Sequence, residues 1–159
     1  MKFVIIKQVS FLSFILGLFL GILLLIPVIN LLTFLFVMFF VGGAIVLFLK
    51  KFNMVGIIDI KEGAVIGAIA GFTSFLGVCA SYIPISSLLG LIFSKYTGGF
   101  ATLFLSSISG LITGLFMIVF SALMSALLNS FSGLVAIWGW EIVTGIKKEN
   151  NQNLDFQIK

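Results

Sequence analysis

The chain has 159 residues, 61% of them hydrophobic and 9% charged, with a mean hydropathy of +1.33 and a formal net charge of +4. A soluble domain carries about a quarter charged residues, so this composition excludes a water-soluble globular protein and assigns the chain to the membrane. No histidine and a single cysteine, Cys79, exclude an internal disulfide, a thiolate cluster and the usual zinc, haem and triad ligands, so no cofactor, metal or catalytic set is expected.

Residues 8–49, 63–94 and 96–140 carry no charge, and each run is at least as long as the about 20 residues that span a hydrocarbon core. The N-terminus, MKFVIIKQVSFLSFILGLFLGILLLIPVIN, opens with Lys2 and Lys7 ahead of an apolar run, as a signal peptide does. That run exceeds a signal core and no small-x-small cleavage site comes after it, so an uncleaved span is expected. Residues 8–49 as one helix would reach about 63 Å, about twice the core thickness, so two spans are needed. IPVIN supplies the break: Pro27 disfavours helix at the residue before it, and Asn30 is placed to cap the next helix. Spans at 9–28 and 31–49 result, the second stopped by Lys50 and Lys51.

A third span is expected over 63–83, ending at Pro84, with an interfacial or re-entrant piece after it, ISSLLGLIFSKYTGG, that exposes Lys95 and Tyr96. The fourth runs over 100–128. NSFSG then reads as a turn, and LVAIWGWEIVTGIKK as a surface amphipathic helix over 134–146 with Trp138 and Trp140 at headgroup level. A polar, disordered cytoplasmic tail over 147–159 completes a single membrane domain. The expected fold is all-α: an integral membrane four-helix bundle of two hairpins with a C-terminal interfacial helix.

With four spans and both termini cytoplasmic, Lys2, Lys7, Lys50, Lys51, Lys61, Lys147, Lys148 and Lys159 lie inside and only Lys95 outside, a positive-inside pattern for a cytoplasmic (inner) membrane. Five spans would strand Lys147 and Lys148 outside and rank second. The basic pI results from this orientation, with no nucleic-acid partner.

At the start of the third span, DIKEGAVIGAIAG places Asp59 at an N-cap and Glu62 three residues on, the spacing of a capping box. Carboxylates also favour the positive end of the helix dipole. This reading is preferred to a cation-binding mouth, because transport carboxylates lie within spans. At about 100° per residue, Gly63, Gly67, Ala70, Gly71, Ser74, Gly77 and Ser81 share one face, with Val65, Ile69, Phe72, Phe75 and Leu76 opposite. In lipid such a small-xxx-small face gains stability through close van der Waals contact, so this helix is expected at the centre of the bundle or against a sister protomer. Gly17 and Gly21 give the first span a single GxxxG.

The fourth span has a more polar face, Thr102, Ser106, Ser109, Gly110, Thr113, Gly114, Ser121 and Ser125, opposite Phe104, Ile108, Leu111, Leu115, Val119 and Ala122. Helix packing is its preferred role, and a polar route the other. IPVINLLTFLF from Ile26 and IPISSLLGLIF from Ile83 align at an offset of 57, which suggests a duplicated hairpin.

The run GGAIVLFLKKFNMVGIIDIKEGAVIGAIAGF resembles the middle of small, uncharacterised prokaryotic membrane proteins in which a GG-bearing span, a short charged loop and a GAxxGxxAG span succeed one another. Gly42, Gly43, Gly63, Ala64, Gly67, Ala70 and Gly71 carry the likeness, which implies no activity.

An enzyme is not expected: there is no arginine, and Asp59, Glu62, Glu141, Glu149 and Asp155 all lie near or beyond membrane ends. The expected partners are the lipid bilayer and either a second copy or another membrane protein, in an accessory or assembly role. The alternative is a small-solute or ion transporter or channel, including a holin-like pore, working as an oligomer.

Overall fold

The computed structural model describes residues 3–52, 59–92 and 108–157, and among these all regular structure is α-helical. The elements are α1 (Phe3–Leu23), α2 (Pro27–Phe39), α3 (Val41–Lys51), α4 (Ile60–Ile92) and α5 (Ile108–Gln157). Three of them, α1, α4 and α5, are long and apolar enough to cross a membrane, and the pair α2–α3, bent by 66°, makes a fourth if it is one broken span.

The chain leaves α1 at Leu23, ahead of the expected end of the first span, through a tightened turn in which Leu25 donates to Ile22 and Ile26 to Leu23. Ile26 is extended (φ −86°, ψ 112°), as a residue before proline should be, and Pro27 occupies the first helical turn, where its missing N–H has no partner to lose. Pro27 therefore starts a helix earlier than expected. Asn30 is not the cap; its N–H already bonds the Ile26 carbonyl at 2.9 Å.

Pro84, flanked by the same Ile-Pro-Ile/Val pattern, does the opposite: it sits inside α4, which runs on to Ile92. The third span thus does not stop there, and residues 85–92 of the expected interfacial piece are the end of α4; Lys95 and Tyr96 lie outside the described residues. A proline after a turn and a proline inside a continuous helix are not equivalent, so the two halves of the suggested repeat do not share a structure. Pro84 removes one helical hydrogen bond at an exposed position. Pro84→Ala is expected to raise stability by about 1 kcal/mol, read as a higher midpoint for loss of helicity in detergent; a lower midpoint would mean that α4 needs the proline's bend.

NSFSG forms no turn: α5 is helical throughout residues 108–157. The expected interfacial helix over 134–146 is not a separate element, and the backbone of the expected tail is helical to Gln157. Asn, Ser and Gly favour turns where water can solvate the freed backbone; in hydrocarbon those groups must bond internally, and the helix continues. The start of the fourth span over 100–107 lies outside the described residues.

Asp59 does mark the start of α4, its carbonyl accepting from the Gly63 N–H at 2.9 Å with Glu62 in the first turn. The helix it opens is the centre of the bundle. Gly17 lies against Ser74, and Gly21 against Val78 and Ser81, so α1 and α4 run parallel. Gly63 lies against Gly133 and Ile137, and Gly71 against Ser125 and Asn129, so α4 and α5 run antiparallel. Gly42 meets Asn129 and Gly43 meets Ser132, which makes α3 parallel to α5. The start of α1, the end of α3 and the start of α4, with Lys7, Lys50, Lys51 and Lys61, therefore share one end of the bundle, and α5 continues past Ile137 beyond it. Leu20, Val37, Val41, Val46, Ile66, Ala70 and Ile137 are among the buried apolar residues that fill the interior.

Candidate functional site

The bend between α2 and α3 interrupts hydrogen bonding in the middle of an apolar segment. In an unbroken helix the N–H groups of Val41, Gly42 and Gly43 would bond the carbonyls of Val37, Met38 and Phe39. In lipid each group left unpaired is expensive, by several kcal/mol. Side chains of α5 take over instead. Asn129, wholly buried, donates through Nδ2 to the carbonyls of Val37 and Met38, both at 2.9 Å, and accepts at Oδ1 from the Gly42 N–H at 2.6 Å. Ser132 Oγ accepts from the Gly43 N–H at 3.2 Å. One amide thus supplies donors and an acceptor to both sides of the break; the opposite assignment of its O and N would set oxygen against three carbonyls.

The same node ties in α4. Ser125, also wholly buried, donates to the Gly71 carbonyl at 3.1 Å and lies 3.4 Å from that of Val37, while Asn129 Nδ2 reaches Ser125 O at 2.9 Å. Only glycine allows this approach: a Cβ on Gly42 would lie 2.8 Å from Asn129 Cβ, and one on Gly71 would lie 2.6 Å from both Asn129 Cβ and the Ser125 carbonyl. Among the described residues no buried side-chain N or O atom lacks a hydrogen-bond partner, so the node is saturated.

The expected packing face of α4 is buried at all seven positions, Gly63, Gly67, Ala70, Gly71, Ser74, Gly77 and Ser81. It is divided lengthwise: Gly63, Gly67 and Gly71 meet α5, and Ser74, Gly77 and Ser81 meet Gly17, Gly21 and their neighbours on α1. Ser74 and Ser81 donate back to carbonyls of their own helix, those of Gly71 and Gly77, as hydroxyls in helices commonly do. The stripe is occupied within the chain and is not a surface for a sister protomer.

The expected polar face is described only in part. Thr102 and Ser106 lie outside the described residues, Ser109 is in the first turn of α5, and Thr113 is exposed. Ser125 and Gly114 from that face are buried, but so is Ala122, which was expected to point away. The inward side of α5 runs through Ala122, Ser125, Asn129, Gly133 and Ile137, turned well away from Thr113. Asn129 was not expected as a site at all. Its signal in the sequence is its place in a Ser125-Asn129-Gly133 series spaced four apart, far from any charge.

Beside the break, α2–α3 and α5 enclose an open-sided groove of about 970 Å³, walled by Phe40, Ala44 and Leu47 on one side and Leu128, Phe131 and Val135 on the other. Its lining is almost wholly apolar. No group of three or more His, Cys, Asp or Glu able to hold a metal occurs among the described residues. An amide bonded to backbone can hold a shape; it offers neither nucleophile nor acid–base pair.

No family model, no curated protein and no solved structure matches the chain. The helices are long and apolar enough for a multi-helix membrane protein, and the node joins the bent pair α2–α3 to α4 and α5.

Proposed function

We propose that the chain crosses the membrane four times, with both termini on the lysine-rich cytoplasmic side of the inner membrane, and serves as an accessory or assembly protein that packs with a second copy or another membrane protein. The alternating directions of α1, α2–α3, α4 and α5 support four crossings. The observation that carries the accessory role is the saturated interior: every buried side-chain polar atom among the described residues has a hydrogen-bond partner, leaving none of those side chains unpaired to bind a solute. Because α1 and α5 already cover the glycine stripe of α4, a protein partner meets the outward apolar faces.

A second reading, small-solute or ion transport by an oligomer, is favoured by the break itself, since discontinuous helices place backbone carbonyls at binding sites in transporters. Purification in native lipid discs separates the two. The accessory role predicts a complex of fixed stoichiometry larger than one 17.2 kDa chain, with background ion and solute flux after reconstitution. Flux that falls on Ser132→Ala while the protein remains folded would replace that reading with the transport one, and a lone chain without flux would overturn both.

A further inference from the structure

The groove beside the break has a definite length and a definite end. Its α2–α3 wall extends from Phe36 to Leu47, through the 66° bend, and its α5 wall from Leu127 to Ala136, a helical rise of about 14 Å on the unbent α5. That is about half of the roughly 30 Å hydrocarbon core, the depth of one leaflet. The groove occupies the half nearer the lysines, because its α5 wall ends one residue before Ile137, which packs on Gly63 at the start of α4.

At that end the chemistry changes from apolar to cationic. Lys51 stands four residues after Leu47 and seven after Ala44, so the 3.6-residue period carries it onto the groove-lining side of α3, with Lys50 at the rim. Lys51 is exposed and Lys50 half-buried. On the other wall, Gly139 continues the lining of α5, and a Cβ built there meets nothing within 4 Å. Trp138, more than half exposed, stands on the rim at the same level, where an indole favours the headgroup region. Glu141 projects from the other side of α5 by the same helical period, away from the two lysines.

An apolar channel one leaflet deep, open to the lipid side and ending in two ammonium groups, is complementary to one molecule. We propose that the groove is a binding site for an anionic phospholipid, with one acyl chain along Phe40, Ala44 and Phe131 and the phosphate at Lys50 and Lys51. Each lysine near a membrane surface favours anionic lipid, and the apolar walls select a chain that would otherwise lie in the bulk bilayer.

The test is native mass spectrometry of the full chain released from vesicles of equal parts phosphatidylglycerol and phosphatidylcholine. The expected result is one retained phosphatidylglycerol per chain, enriched about tenfold over phosphatidylcholine. Lys50→Gln with Lys51→Gln should abolish the enrichment. Ala44→Phe, at an exposed position on the groove wall, should abolish retention of either lipid while the lysines remain. Equal retention of the two lipids by the native chain would overturn the site. So would unchanged phosphatidylglycerol retention in Ala44→Phe, which would reduce it to unspecific attraction at the lysines.

Discussion

Replacing Asn129 with leucine is expected to destabilise the protein by about 3 kcal/mol or more. The magnitude decides what kind of loss this is. If the change only removed three hydrogen bonds of ordinary membrane strength, near 0.6 kcal/mol each, the loss would be about 2 kcal/mol. Leucine does more, because the carbonyls of Val37 and Met38 and the N–H of Gly42 stay behind in a buried site without partners, and an unsatisfied buried group is penalised by about 1–3 kcal/mol. Asn129→Asp should fare no better: a carboxylate can still accept from Gly42 but has nothing to donate to the two carbonyls, and it brings a charge into lipid. Detergent-titrated unfolding monitored by helicity reads both variants. A leucine variant within about 0.5 kcal/mol of the native chain would mean that the break is satisfied by other groups.

A second large effect is expected at the α4–α5 contact. Gly67→Leu should destabilise the fold by about 3 kcal/mol, because a Cβ on Gly67 would run into the Asn129 carbonyl and lie 3.1 Å from the Gly133 carbon and from the Asn129 carbonyl carbon. All are backbone atoms, so the helices must separate and the Ser125–Gly71 bond lengthens with them. Gly139→Leu, on α5, is the matched control: nothing lies within 4 Å of its Cβ, and its effect should stay within about 0.5 kcal/mol. Thermal midpoints in detergent distinguish the pair, and equal shifts would show that close approach at Gly67 is not what holds α5.

Much of α4 was legible in the sequence because its signals are local. Asp59 and Glu62 mark its start, and small residues four apart can only line one face of a helix, so the stripe and its central position come from spacing. The prolines were not legible in the same way. Pro27 and Pro84 sit in near-identical contexts, yet one opens a helix and the other lies inside one; the difference lies in whether α1 has already ended and in how the surrounding helices hold α4. The turn expected at NSFSG came from propensities that hold in water, whereas lipid reverses the balance by penalising every unbonded backbone group. Asn129 is the clearest example of non-local information. Its partners at Gly42 and Val37 are 87 and 92 residues away in the chain, and the break they mend has no proline to announce it. The orientation of α5 failed for a related reason: a face defined by hydroxyls from Thr102 to Ser125 weights Thr113 and Ala122 wrongly when a single amide fixes which side turns inward.

Membrane-impermeant thiol labelling in intact cells tests the central claim, that α2–α3 is one crossing helix broken in its middle and mended by α5. With Cys79 changed to Ser, single cysteines are introduced as Ile26→Cys, in the turn before α2, and Phe52→Cys, at the end of α3. Labelling from outside at position 26 and at position 52 only after the cells are opened is the result expected. Labelling of both positions from the same side would make the bent pair a re-entrant loop, leave three crossings, and contradict the account.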